Sequence, residues 1–88
     1  LSNNKLLEEK FLNYLIQDYL FLIQFSKAWS LAIIKSDDLE EMKICTNTVN
    51  GLINFEMDLH IKLCKKYGIL EKDLVKAEEK NKNNSNVL

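Results

Sequence analysis

No proline interrupts the 88 residues of this chain, and glycine occurs only at positions 51 and 68. Proline breaks a helix by removing an N–H and clashing with the turn before it, and glycine ends one by entering left-handed backbone. A chain with almost neither has few places to turn. It cannot be a turn-dense β architecture, a collagen or a proline-rich linker, and it reads as a few long helices. Its length allows at most one small domain.

The apolar pattern sets the helix bounds. A first helix is expected over about 6–35, with Asn3 or Asn4 as its cap and Glu8 and Glu9 near its positive end. Lys10, Asn13, Gln17, Gln24, Lys27 and Ser30 form one narrow polar stripe on it. Ser36-Asp37-Asp38 is a connector, and Asp37 with Glu40 or Asp38 with Glu41 has capping-box spacing. A second helix is expected over about 39–67, closed by Lys65, Lys66 and Gly68. Gly51 inside it costs about 1 kcal/mol relative to alanine and implies close packing at that point. A short helix over 71–80 and a mobile low-complexity tail over 81–88 complete the chain. Residues 1–80 are therefore part of a single helical domain. Two long, broadly apolar helices and a short third one cannot cover one another, so further helices are expected against them.

Twelve basic residues, all lysine, stand against thirteen acidic ones, for a net charge of −1. Such balance carries no nucleic-acid footprint and no polybasic membrane surface. The longest uncharged run in the apolar stretch is Tyr19 to Ser26, far short of the ~20 residues a membrane span needs. Cys45 and Cys64 form no C-x-x-C pair, and no leader pattern opens the chain, which points to a reducing, cytoplasmic setting.

One constellation is unusual. Phe11, Tyr14, Phe21, Phe25 and Trp29 share a helix face with Asp18. A carboxylate within an aromatic stripe is costly unless it is paired. Either a neighbouring helix satisfies Asp18, or Asp18 holds the N–H groups of a flat ligand that the rings stack against. On the second helix, Glu56, His60 and Cys64 are spaced i, i+4, i+8. One helix face does not supply a tetrahedral ligand set, so no metal site is expected. The reading adopted for Glu56 and His60 is structural: a mutual hydrogen bond that fixes helix packing. No catalytic set is complete within the chain, and no cofactor motif occurs.

The run from Glu9 to Lys35 resembles the signature helix of the TenA, or thiaminase II, family. The matching residues are Phe11, Tyr14, Leu15, Gln17, Asp18, Tyr19, Leu22, Phe25 and Trp29 to Leu31. Glu56 to His60 (EMDLH) and Lys66-Tyr67-Gly68-Ile69 are similar to a second motif pair of that family. The resemblance implies an all-α fold, with this chain a long helical hairpin within a haem-oxygenase-like bundle that holds no haem. It implies thiamin salvage: hydrolysis of an aminopyrimidine breakdown product, or of thiamin, releasing hydroxymethyl-pyrimidine. Asp18 takes the family's pyrimidine-anchoring position, and Tyr14 and Phe21 line the substrate. Where the family commonly carries tyrosine, Phe21 keeps the ring and loses the hydroxyl. The family's nucleophilic cysteine has no match in either Cys45 or Cys64, so the chain reads as a fragment of a TenA-like enzyme. A cytoplasmic homotetramer is implied. The competing reading is a helical interaction or oligomerisation module, or a regulatory relative on the same fold.

Overall fold

The computed structural model describes the backbone of residues 2–87 and the side chains of residues 5–83. Among the described residues every element is helical. The chain runs α1 (Ser2–Ile34), α2 (Leu39–Gly51), a π-helical turn (Leu52–Glu56), α3 (Met57–Lys66) and α4 (Glu71–Val87). None of these helices is long and apolar enough to cross a membrane.

α1 begins before the expected Leu6, so Asn3 and Asn4 lie within it and not ahead of it. Their side chains fall outside the described residues. With no breaker before Leu6, nothing stops the helix there. Its far end closes where the Ser36 hydroxyl donates to the Ala32 carbonyl at 2.7 Å, satisfying one of the carbonyls left over at a C-terminus. The connector then caps α2. Asp38 is the N-cap, its carboxylate accepting from Glu41 N–H at 2.9 Å, and Glu41 accepts from Asp37 N–H at 3.0 Å. Of the two candidate boxes, the Asp38–Glu41 pair forms.

The second long helix is not continuous. Met57 N–H bonds to the Leu52 carbonyl, a step of five where an α-helix takes four. Half-buried Cys45, Val49 and Leu52 share one phase; Met57, His60 and Cys64 resume it after that step. An unbroken α-helix would have turned Leu59 and Leu63 inward instead; both are exposed. Close packing does not explain Gly51, since a β-carbon there would meet nothing within 4 Å. Gly51 stands where α gives way to π, a position that suits a weak helix former.

Gly68 adopts φ +87°, the left-handed backbone that glycine reaches without strain. Ile69 N–H reaches back to the Cys64 carbonyl at 2.9 Å and Gly68 N–H to the Lys65 carbonyl at 3.1 Å, which is a Schellman ending. It folds Ile69 onto the core. α4 starts with Leu70 N–H held by Asp73 at 2.9 Å, and continues past the expected Lys80 to Val87. The Asn- and Lys-rich sequence there contains no glycine or proline to end it.

The buried core is small: Leu15, Tyr19 and Leu20 from α1, Cys64 from α3, Ile69 from the turn and Leu74 from α4. α2 buries nothing fully. Leu7, Leu31, Ile34, Ile44 and Phe55 stay exposed, as expected of a hairpin that cannot cover its own apolar faces.

The π turn acts as one extra residue in the register, and this makes a test. Deleting the exposed Asn54 should give a continuous α-helix that still turns His60 and Cys64 inward, with a thermal midpoint within a few degrees of the parent. Adding an alanine after Asn54 rotates α3 by about 100° and should abolish cooperative unfolding. If the deletion is as damaging as the insertion, the register account is wrong.

Candidate functional site

The site grows from the middle of α1, where Leu15, Asp18 and Tyr19 face α3 and α4. Asp18 keeps 37 % of its side chain exposed, while the His60 side chain opposite is 9 % exposed. His60 Nδ1 lies 3.5 Å from Asp18 Oδ2. The other ring nitrogen, Nε2, lies 2.7 Å from the Leu15 carbonyl oxygen. One imidazole therefore spans a full turn of α1. The expected Glu56–His60 hydrogen bond is not what forms. Glu56 is exposed, and His60 packs onto α1 between Asp18 and the Leu15 carbonyl.

The rings expected beside Asp18 divide into two groups. Tyr14 is 61 % exposed and Phe21 57 % exposed. They flank Asp18 one turn before and one turn after it, on the open side of α1. Phe21 stacks on Phe25 with centroids 5.5 Å apart and planes 17° apart, and Phe25 meets Trp29 edge to face at 6.5 Å. Phe11 leaves this stripe and clasps Tyr67 at the end of α3, 5.0 Å away at 80°. The result is an open aromatic shelf with one carboxylate, not an enclosed cavity. A groove of about 480 Å³ lies elsewhere, between α1 and α4, lined by Leu20, Ile23, Gln24, Lys27, Glu78 and Asn81 among others, and Asp18 takes no part in it.

Electrostatics set the roles of the remaining groups. Cys64 is fully buried, and burial, with the Asp18 charge adding, pushes its thiol above the usual range. A thiol held neutral in the core is no nucleophile. Cys45 is half-buried at the connector, with the Ser36 hydroxyl 4.0 Å from its sulfur. Tyr19 donates from its hydroxyl to Glu78 at 2.9 Å, tying α4 to α1. Burial first, and then that hydrogen bond, push the Tyr19 phenol up to about 12. Among the described residues no three His, Cys, Asp or Glu side chains gather as a metal site.

Periodicity alone missed the Asp18–His60 pairing. An α-helical phase carried through Leu52–Glu56 turns His60 off the face shared by Cys45, Val49 and Leu52, and the π turn brings it back onto α1. The available signal was the step of five from Leu52 to Met57 between inward-facing positions.

Comparison with known proteins follows the same residues. The sequence profile of the TENA/THI-4/PQQC family matches residues 1–88. An aminopyrimidine aminohydrolase of Helicobacter pylori is 35 % identical over 69 residues, which cover 78 % of this chain and 32 % of that protein. The aminopyrimidine aminohydrolase of Halalkalibacterium halodurans is 32 % identical over 78 residues, covering 89 % and 35 %. A crystal structure described as a TenA family transcription regulator from Silicibacter sp. TM1040 superposes with a TM-score of 0.72 at 51 % identity, covering 76 % of this chain and 30 % of that one. The chain thus spans about a third of the length of these relatives.

Proposed function

This chain belongs to the TENA/THI-4/PQQC family, and on that premise we propose that it holds the pyrimidine in a thiamin-salvage hydrolase. The reaction is hydrolysis at the exocyclic methylene carbon of an aminopyrimidine: water replaces the amine, and hydroxymethyl-pyrimidine and ammonia leave. Asp18 is the anchor for the ring's N–H groups, with Tyr14 and Phe21 as the ring surfaces on either side. The observation that carries the reading is a half-exposed carboxylate, backed by a buried imidazole, on a shelf of exposed rings. Such a shelf offers stacking area and one strong acceptor, the minimum for a flat, partly apolar heterocycle. Phe21 can stack but cannot donate, so position 21 supplies a ring and no hydroxyl to the site. Cys64, buried and held as a neutral thiol, is not placed for nucleophilic attack. The aminopyrimidine aminohydrolases of H. pylori and H. halodurans support the substrate class. The exposed apolar faces support assembly, and the family resemblance supports a homotetramer working in the cytoplasm.

The test is ligand binding to the intact protein, read by calorimetry. Asp18→Asn should weaken aminopyrimidine binding by about 10- to 100-fold, the scale of one charged hydrogen bond, and leave the thermal midpoint nearly unchanged. Equal affinity in the two proteins would remove Asp18 as the anchor. A second reading, a regulatory relative that binds a pyrimidine without turning it over, is favoured by the description of the Silicibacter structure. Release of hydroxymethyl-pyrimidine, followed by chromatography, separates the two.

A further inference from the structure

His60 has more to do than pack. A backbone carbonyl can only accept, so the ring nitrogen 2.7 Å from the Leu15 oxygen, Nε2, carries a hydrogen. In a neutral imidazole that leaves a bare lone pair on Nδ1. Nδ1, however, faces Asp18 Oδ2 at 3.5 Å. A lone pair set against an ionised carboxylate repels it, and the pair lies where His60 has little water to screen it. A proton between them removes the conflict, whether it rests on Nδ1 as imidazolium or on the carboxyl. We infer that Asp18 and His60 hold one proton in common, and that His60 is the positioning residue that aims the Asp18 carboxyl at a ligand.

The arrangement follows from the fold. Leu15 and Asp18 are one turn apart on α1, so an imidazole pinned to the Leu15 carbonyl has only one direction in which to point Nδ1. The π turn supplies the rotation that brings His60 there. The titratable groups around the pair are Cys64 on α3, Tyr19 on α1 and, acting on Tyr19 from α4, Glu78 and Glu71. No lysine pairs with Asp18 among the described residues, so His60 is the group that answers its charge, by taking up a second proton from water.

The ligand side of this inference rests on the reading of Asp18 as pyrimidine anchor. An aminopyrimidine edge presents an N–H donor next to a ring-nitrogen acceptor. A bare carboxylate satisfies only the donor. A carboxyl that can draw on a proton satisfies both, so the class of ligand favoured is an N–C–N edge of amidine type.

The experiment labels histidine with nitrogen-15 in the intact, ligand-free protein and follows the ring resonances from pH 5 to 9. The expected result is a proton on Nε2 throughout and a proton on or shared with Nδ1 at neutral pH. In Asp18→Asn the Nδ1 resonance should revert to that of an ordinary lone-pair acceptor. The proposal is overturned if Nδ1 looks the same in both proteins, or if Nε2 bears the lone pair. A second arm uses His60→Gln, which keeps a neutral donor for the Leu15 carbonyl. Aminopyrimidine affinity should fall about tenfold or more, and its variation with pH should flatten. Unchanged affinity there removes the positioning role. Should the spectra come out as expected while Asp18→Asn binds pyrimidine like the parent, the proton pair stands and the anchor reading alone fails.

Discussion

Leu15→Ala is expected to lower the stability of the chain by about 2–5 kcal/mol, measured by urea unfolding. The Leu15 side chain is 1 % exposed and sits at the meeting of α1, α3 and the turn to α4. Its truncation loses the transfer free energy of the missing carbons and leaves a void lined by Tyr19, Cys64, Ile69 and Leu74, which cannot all close in. A chain of 88 residues has on the order of 4–13 kcal/mol of total stability. The loss is therefore a large fraction of the whole, and the variant should be partly unfolded at body temperature. The control is Leu59→Ala, an exposed leucine on α3, which should change stability by no more than about 0.5 kcal/mol. Equal effects from the two would mean that the core does not lie where the packing puts it.

The second large effect concerns α4, which the core holds through few groups. Leu74 is 2 % exposed, Ala77 is half-buried, and Glu78 accepts the Tyr19 hydroxyl. Leu74→Ala should cost about 2–5 kcal/mol at this one attachment. Because α4 packs on little besides α1, the loss should appear as local release. Hydrogen exchange is the proper readout: α4 amides should lose protection while those around Leu15 and Cys64 keep theirs. Uniform loss across all helices would show that α4 is part of a single cooperative unit. Alkaline pH should loosen the same joint without mutation. The Tyr19 phenol ionises near 10 when unfolded and at about 12 when folded. Between those values the folded chain holds a proton that the unfolded chain has lost, so stability falls as pH rises. It is fully present below pH 10 and declines toward pH 12, by on the order of 2 kcal/mol in all. Tyr19→Phe should erase that decline.

Much of the fold was legible along the chain because it depends on near neighbours. Asp38 and Glu41 cap α2 three residues apart, and Gly68 ends α3 with Ile69 folding back on Cys64. Such motifs are decided within a turn or two of backbone. The all-helical class follows from the same scarcity of breakers, and the aromatic face with Asp18 follows from the period of α1. The start of α1 was misplaced because helix ends without a strong cap are set by small differences in propensity.

The site was legible only in part. Asp18, Tyr14 and Phe21 could be placed on one face from spacing, but the partner of Asp18 could not. His60 lies 42 positions away in sequence, and which way it points depends on one extra residue in the π turn. That turn forms because Met57, His60 and Cys64 gain more by packing on α1 than the helix loses in regularity. No local signal weighs those two terms. Local chemistry was thus enough for the class of fold, the helix caps and the ring-lined carboxylate. Burial between distant helices decided the register of α3, the buried state of Cys64 and the imidazole behind Asp18, since a desolvated group takes its environment from whatever the whole chain packs around it.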